Sequence, residues 1–209
     1  MQGPQWYAPP EAPQPGPYQH GDDPNALLEP GGFWIRGGAH LIDIITVGIV
    51  GAVSGAFGAI VVGMLDAAGV IEPGWEDRIG KPTVGSFLFG TLASLVYHTA
   101  AEACGGATVG KAICGLRVLT EDRRPCTLLK ALGRNLAYYI DALFFGAIAW
   151  SSMSDSPTKQ RLGDRWAGTI VVMARAVPAS ARRSPAVGIL VALFLYATIE
   201  VLAVVLAML

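Results

Sequence analysis

The chain has 209 residues, a length that suits one ordinary domain. Hydrophobic residues make up 52% and charged residues 15%, a mixture too apolar for a typical soluble domain, which carries roughly 25% charge. The formal net charge of -1 argues against a nucleic-acid partner. The 3 cysteines form no C-x-x-C pair, which predicts free thiols rather than a metal centre, and we expect no cofactor.

Residues 1–30 begin the sequence and contain eight prolines. Proline at this density prevents a helix from propagating, and the segment has too few apolar residues to bury a core. We therefore predict a disordered Pro-rich tail, either a solvated leader or a docking segment for a protein partner. The tail lacks the basic and apolar regions of a signal peptide, so internal segments must enter the membrane.

The first apolar run covers residues 44–65, contains no charge and is long enough to span a bilayer as a helix. Small residues recur there at every fourth position, namely Gly51, Gly55, Ala59 and Gly63. This pattern gives one smooth helix face that permits the close approach of another helix. We expect a homo-oligomer packed through the Gly51 and Gly55 face.

Three further apolar runs follow the hydrophilic loop 66–82. They begin at residues 83, 135 and 185, and the middle one, which carries Asp141, is the weakest. The fold class is therefore an all-α membrane protein with about four transmembrane helices, joined by glycine-rich interfacial segments. Such a chain is expected in the cell membrane as a multi-pass protein.

The Lys and Arg residues bear on the orientation of the chain. If all four runs span, seven basic residues lie on the N-terminal side and eight lie opposite, so the positive-inside rule does not decide. If the run at 135–154 is re-entrant, the division is thirteen against two, and loop 66–82 is outside. In both cases we expect a cytoplasmic tail, because a tail without a cleavable signal stays inside.

Ionisable residues near the ends of the first two runs are candidates for a functional site. Arg36, His40 and Asp43 lie four and three residues apart, so a helix places them on one face. His98 and Glu102 form a second pair on the same side of the membrane. Intramembrane charges are costly, which favours a cation- or proton-binding carboxylate. The alternative is a structural polar cluster, and either is favoured over a metal site because no third ligand is closely spaced.

Two other features need an interpretation. Glu200 lies about fifteen residues into the last run and must face protein or water rather than lipid. Residues 105–111 have the spacing G-x-x-x-x-G-K of a phosphate-binding loop. However, Ala112 follows the lysine where magnesium binding needs Ser or Thr, and an apolar helical run precedes it instead of a strand. We therefore expect no nucleotide site.

Four sequence elements carry a family resemblance. They are FWIRGGAHLID at 33–43, TVGKAICGLRVL at 108–119, KALGRNLAYYID at 130–141 and QRLGDRWAGTIVV at 160–172. In this order they resemble the RDD family of small membrane proteins, named for an arginine and two aspartates. Arg36 and Asp43 match the first arginine and aspartate, and Asp164 matches the closing aspartate. The resemblance covers residues 31–173.

The resemblance divides the chain into the tail 1–30, an RDD-like membrane domain 31–173, and a linker with a C-terminal transmembrane helix at 174–209. Glu200 lies in the last part and inherits no role from the family. Many relatives have histidine before the closing aspartate, where this chain has Gly163. A mechanism that uses such a histidine is therefore not expected here.

The glycine-rich segments are expected to lie at the membrane interface. Apolar side chains there are expected to rest on the acyl boundary, namely Ile113, Leu116 and Val118. Basic side chains are expected to contact lipid headgroups, namely Lys111, Arg117, Arg123 and Arg124. Asp164 is expected to pair with Arg161 or Arg165.

The resemblance implies transport of a small ion or solute, with sodium–proton exchange for some members. We expect Arg36 and Asp43 to form the charged site, with proton and cation competing for Asp43. Additional candidates for this site are His40, His98, Glu102, Asp164 and Glu200. The rival hypothesis is a membrane scaffold or assembly factor that binds protein partners or anionic lipid. No nucleophile–base pair, metal set or nucleotide loop points to an enzyme.

Overall fold

The computed structural model describes residues 28–71, 81, 83–141 and 143–207. The predicted disordered tail lies outside these residues except for its last three positions. The helices are α1 (Phe33–Ala67), α2 (Val84–Gly105), α3 (Val109–Ile113), α4 (Leu128–Asp141), α5 (Leu143–Ser154), α6 (Leu162–Ala167) and α7 (Pro185–Leu206). The strands are β1 (Leu116–Thr120) and β2 (Thr169–Met173), and two short 3-10 helices cover Ala174–Ala176 and Ala179–Ala181.

Among the described residues, three helices are each long and apolar enough to cross a membrane, and the bent pair α4 and α5 makes a fourth candidate span, which confirms the all-α membrane class. The three helices are α1, α2 and α7, and α7 packs against both of the others. Many large apolar side chains of α1 point away from the protein, including Ile45, Ile49, Val53, Phe57 and Ile60. An outward apolar face of this extent is expected only where lipid replaces water.

Local signals fix the ends of these helices. α2 begins with a capping box in which the Thr83 side chain accepts a hydrogen bond from the Ser86 amide and the Ser86 hydroxyl bonds back to Thr83. Gly106 ends α2 in the left-handed region at φ 70°, where glycine avoids the strain that other residues meet. Pro185 occupies the first turn of α7, where its missing amide hydrogen is not needed.

Of the small residues predicted to form a smooth face on α1, Gly51 contacts α7 of the same chain, and so does Gly58, which lies outside the predicted set. A Cβ placed on Gly58 would lie 2.9 Å from the Cβ of Val204, and one on Gly51 would lie 3.1 Å from the Tyr196 hydroxyl. A Cβ on Gly55 would meet nothing within 4 Å. The contact with α7 thus uses Gly51 but not Gly55, and the homo-oligomer packed through the Gly51 and Gly55 face stays a prediction.

The apolar run at 135–154 differs from a simple spanning helix. It comprises the end of α4 and all of α5, and the two helices meet at an angle of 111°. β1 and β2 are antiparallel neighbours, with Thr120 opposite Thr169. The chain between these strands therefore starts and finishes at the same place. Any entry of α4 and α5 into the membrane must return to the side from which it began, as in a re-entrant segment.

The two-stranded sheet was not expected from the sequence. It corrects the prediction that Leu116 and Val118 rest on lipid, because both side chains are fully buried beneath the sheet. Ile113 is 67% exposed, as an interfacial residue should be. The apolar side chains of β1 thus pack in a core. That core forms only when β2, about fifty residues later in the sequence, supplies the other strand.

The end of the predicted tail joins this sheet. The amide of Met173 donates to the Glu29 carbonyl at 2.9 Å, and Pro30 forms a bridge with Val172. Glu29 and Pro30, on the tail side of the predicted boundary, therefore pair with the sheet. This short segment leads the chain directly into α1.

Candidate functional site

Two fully buried carboxylates, Glu102 and Asp164, connect three cations and helices that are distant in the sequence. Arg36 Nη1 lies 2.7 Å from Asp164 Oδ2, and Arg134 Nη2 lies 2.8 Å from Asp164 Oδ1. Arg134 Nη1 also lies 3.0 Å from Glu102 Oε2, and Lys111 pairs with the other Glu102 oxygen. We call this series the ion-pair chain: Arg36, Asp164, Arg134, Glu102 and Lys111. It joins α1, α6, α4, α2 and α3.

The charged groups of the ion-pair chain can be buried because each carboxylate lies between two cations that compensate its charge. Removing charges from water costs several kcal/mol per ion unless close partners and hydrogen bonds compensate. Burial by itself raises the pKa of Asp164, but the charges of Arg134, Arg161 and Arg36 outweigh it and hold that pKa below its usual range. Asp164 is therefore ionised at neutral pH.

The partner of Arg36 corrects the sequence-based pairing with Asp43. Seven residues separate the two on α1, which is roughly 10 Å along the helix axis and too far for an ion pair. Arg36 instead binds Asp164, and it also donates to the carbonyls of Gly31 and Lys159 at 2.8 Å each. Asp164 in turn pairs mainly with Arg36 and Arg134, while the expected partner Arg161 approaches only to 3.8 Å.

Asp43 is held by neutral donors. Its carboxylate accepts hydrogen bonds from the Tyr97 hydroxyl at 2.9 Å, the Thr108 hydroxyl at 2.6 Å and the Gly110 amide at 2.8 Å. The side chain is 1% exposed. Both oxygens of Asp43 are therefore engaged, and the residue fastens α3 to α1.

The contact between Asp43 and α3 explains the T-x-G-K sequence at residues 108–111. Thr108 caps α3 by accepting from the Lys111 amide at 3.3 Å. A Cβ on Gly110 would collide with the carbonyl oxygen of Ala39, so only glycine permits this approach. Lys111 was expected at the lipid headgroups, but it points inward to Glu102, and burial lowers its pKa although Glu102 opposes that shift.

The other predicted interfacial cations lie outside the ion-pair chain. Arg117 donates to the Leu116 carbonyl at 2.7 Å. Arg124 is exposed and pairs with Asp122 at 3.1 Å. Arg123 adopts a positive φ of 61° in the turn after β1 and interacts within the described part of the chain. All three remain candidates for contact with headgroups.

Glu200 lies elsewhere on the fold. It is half-buried on α7, where the Tyr196 hydroxyl interacts with its carboxylate. A Cβ on Gly90 of α2 would lie 3.8 Å from Glu200 Oε1, so the carboxylate faces the α2–α7 contact. The structure does not bring Glu200 to the other candidate residues.

His40 and His98 do come together, with their ring centroids 5.8 Å apart. The Tyr138 hydroxyl lies 2.6 Å from His40 Nε2. These side chains form one wall of a cavity of about 200 Å³ between α1, α2 and α4. Its polar lining residues include Arg36, His40, Asp43, His98, Lys111, Arg134, Tyr138 and Arg161.

Arg161 was not among the predicted site residues. It lines the cavity, and its guanidinium makes no hydrogen bond within the described residues. Its central carbon lies 5.6 Å from the centre of the Tyr138 ring, in a cation–π arrangement. Arg134, also outside the predicted set, was signalled only by its place in the element KALGRNLAYYID.

Gly163 is explained by close helix packing. A Cβ at this position would lie 2.8 Å from the Cβ of Ala137 and 2.9 Å from the carbonyl oxygen of Arg134. α6 therefore approaches α4 so closely that a histidine would displace one of them. The departure from the family pattern belongs to the packing that positions Asp164 against Arg134.

No group of three or more His, Cys, Asp or Glu residues in the described parts of the chain is placed to hold a metal ion. The helices and the buried ion-pair chain define a small helical integral membrane protein with a polar cavity. A family model described as the RDD family matches residues 30–168, so the chain belongs to that family. Comparisons with curated proteins and with solved structures give no match.

Proposed function

We propose that this protein transports a small charged solute across the cell membrane and binds it in the cavity between α1, α2 and α4. The observation that supports this proposal is the charge of the cavity lining. Four cationic side chains line it, Arg36, Lys111, Arg134 and Arg161, against the single carboxylate of Asp43. Convergent charged groups in a concave site at a helix junction are typical of solute-binding sites.

The lining favours an anionic solute over a cation. The carboxylates that compensate the cations, Glu102 and Asp164, lie behind the lining rather than in it. A solute in the cavity therefore contacts N–H donors, and a negatively charged group can accept hydrogen bonds from them. Cation–proton exchange at Asp43 is less favoured, since that carboxylate already accepts three hydrogen bonds.

The re-entrant course of α4 and α5 supports an orientation of the chain in the membrane. With three spanning helices, thirteen of the 15 Lys and Arg residues lie on the N-terminal side of the membrane. The other two, Arg78 and Lys81, lie on the opposite side. The positive-inside rule then favours a cytoplasmic N-terminal tail. Three spanning helices are few for an enclosed pathway, which supports a homo-oligomer.

The transport proposal is tested in proteoliposomes with three probes. They are sodium-driven proton movement read by a pH-sensitive dye, uptake of inorganic phosphate, and translocation of a fluorescent anionic lipid. We expect the wild-type protein to accelerate an anionic probe, Arg161→Gln to slow it about tenfold, and the exposed Arg165→Gln to leave it unchanged.

Two results would change this conclusion. If none of the three probes moves faster than in protein-free vesicles, the transport proposal fails. If sodium drives proton movement in the wild type and not in Asp43→Asn at equal incorporation, the exchange mechanism expected from the sequence replaces the anionic solute.

A second candidate is a non-transporting membrane scaffold. It is supported by the completeness of the ion-pair chain, in which every carboxylate oxygen of Glu102 and Asp164 has a partner. Such a network can serve to fasten helices alone. Under this hypothesis Arg161→Gln has no phenotype, whereas removal of residues 1–27 releases a partner captured by the wild-type tail.

A further inference from the structure

We propose that the cavity binds the phosphate headgroup of an anionic amphiphile, which enters from the bilayer and keeps its hydrocarbon chain between α1 and α2. This inference names the substrate class of the proposed transport and rests on the same cavity. The argument depends on the depth of the cavity in the membrane, the polarity along its length and the unused donors in its wall.

The packing of α7 gives the depth. Gly58 of α1 lies against Val204 of α7, and nineteen residues earlier on these parallel helices stand Ala39 and Pro185. α7 has 22 residues, about 33 Å at the usual helical rise, which only just spans the hydrocarbon core. Its first residue, Pro185, therefore marks one membrane boundary. The polar end of the cavity, beside Ala39, lies at the depth of lipid headgroups.

The deeper part of the cavity is mainly apolar, although the Ser94 side chain also lines it. Its lining includes Val47 on α1 and Leu95 on α2. The last residue of α2, Gly105, contacts Pro185 at the boundary, so Leu95 lies about 15 Å further into the membrane. The cavity thus has the polarity of a lipid molecule in the same leaflet, with charge at the interface and hydrocarbon below it.

Arg161 supplies donors that the fold leaves unused. Its Nε is buried without a hydrogen-bond partner, and the nearest carboxylate oxygen, on Asp164, is 3.8 Å away. Lys111 lines the same space, and its ammonium has three donors of which Glu102 takes one. A phosphate has the acceptors to satisfy these groups, and a neutral headgroup does not supply the charge that they favour.

The volume of the cavity is suited to a lipid headgroup rather than to a whole lipid molecule. About 200 Å³ is more than one water or ion requires and less than the roughly 300–1,000 Å³ of pockets that enclose a drug-sized ligand. The chains of the amphiphile must therefore remain outside, along the apolar surfaces of α1 and α2. A free phosphate would occupy the polar end but leave the apolar end without a partner.

The test is calorimetric titration of the purified full chain in neutral detergent with three probes. Dioctanoyl phosphatidic acid carries both the phosphate and the chains, dioctanoylglycerol carries the chains alone, and inorganic phosphate is the headgroup alone. Arg161→Gln removes the unused donors, and the exposed Arg165→Gln, in the short helix α6 that begins directly after Arg161, is its matched control. Leu95→Trp fills the apolar end, and Leu92→Trp, 48% exposed and outside the lining, is the control for it.

We expect the phosphatidic acid to bind at least tenfold more tightly than either other probe. Arg161→Gln should weaken it by about tenfold or more, as expected for a charge-assisted hydrogen bond, and Leu95→Trp should weaken it similarly. Both controls should remain within twofold of the wild type. Circular dichroism and the thermal midpoint of each variant show whether it is folded.

Three results would overturn the proposal. They are equal binding of the diglyceride, unchanged binding by folded Arg161→Gln, or inorganic phosphate that binds as tightly as the phosphatidic acid and is unaffected by Leu95→Trp. The transport proposal fails separately. If the phosphatidic acid binds as expected but no probe crosses proteoliposomes, the site stands and transport is refuted. If a probe crosses while the phosphatidic acid does not bind, only the amphiphile is refuted.

Discussion

Replacing Arg134 with glutamine should be among the most destabilising polar substitutions in this protein. The side chain is fully buried and forms ion pairs with both Glu102 and Asp164, at 3.0 and 2.8 Å. Removing one partner of a buried pair typically costs about 3–5 kcal/mol, because a charge is left without compensation. Total stabilities of ordinary domains are only about 5–15 kcal/mol, so this loss is a large fraction.

The assay is thermal unfolding in detergent micelles, followed by circular dichroism and by the amount of protein that remains monodisperse after heating. Arg165→Gln is the matched control, since its exposed side chain makes one hydrogen bond to the Ser152 carbonyl and belongs to no buried network. A double-mutant cycle of Arg134→Gln with Asp164→Asn should give a coupling energy above about 1 kcal/mol. If the thermal midpoint of Arg134→Gln equals that of Arg165→Gln, or if the cycle gives no coupling energy, the ion-pair chain does not stabilise the fold as argued.

Three further predictions follow from the same geometry. Gly110→Ala should lower the thermal midpoint and the yield of folded protein, because its Cβ collides with a carbonyl of α1, whereas Gly133→Ala in the exposed face of α4 should be neutral or slightly stabilising. Equal losses in both variants would argue against the close contact. In thiol alkylation at pH 8, Cys126 should react far more slowly than the exposed Cys104, since burial raises its pKa from 9.0 to about 11 and reduces its thiolate roughly 100-fold; comparable rates, measured by mass spectrometry of peptides, would contradict this. The folded-state pKa of Asp164 lies below its unfolded value near 3.8, so the stability it contributes is complete above that pH and is lost as the pH falls through the folded pKa. Thermal midpoints recorded from pH 7 to pH 3 should therefore fall mainly below about pH 4, and less steeply in Asp164→Asn; a fall centred near neutral pH would show that other groups control acid stability.

The sequence by itself determined the class of protein and the membrane helices. Uninterrupted apolar runs of bilayer length have few alternatives to a spanning helix, because lipid offers no partner for backbone polar groups. Their spacing of four and three residues on a helix placed Arg36, His40 and Asp43 on one face of α1. The direction of the second helix brought His98 and Glu102 to the same side of the membrane. The order of the four motif elements was sufficient for the family.

Only the tertiary structure decided which charges pair. Arg36 and Asp43 are close in sequence, but one helix holds them apart, and the true partner of Arg36 lies 128 residues away. The sheet between β1 and β2 brings the ends of a long segment together, which makes the apolar run at 135–154 return to its own side. Ion pairs and strand pairs depend on distances across the fold. The local periodicity that reveals a helix carries no information about those distances.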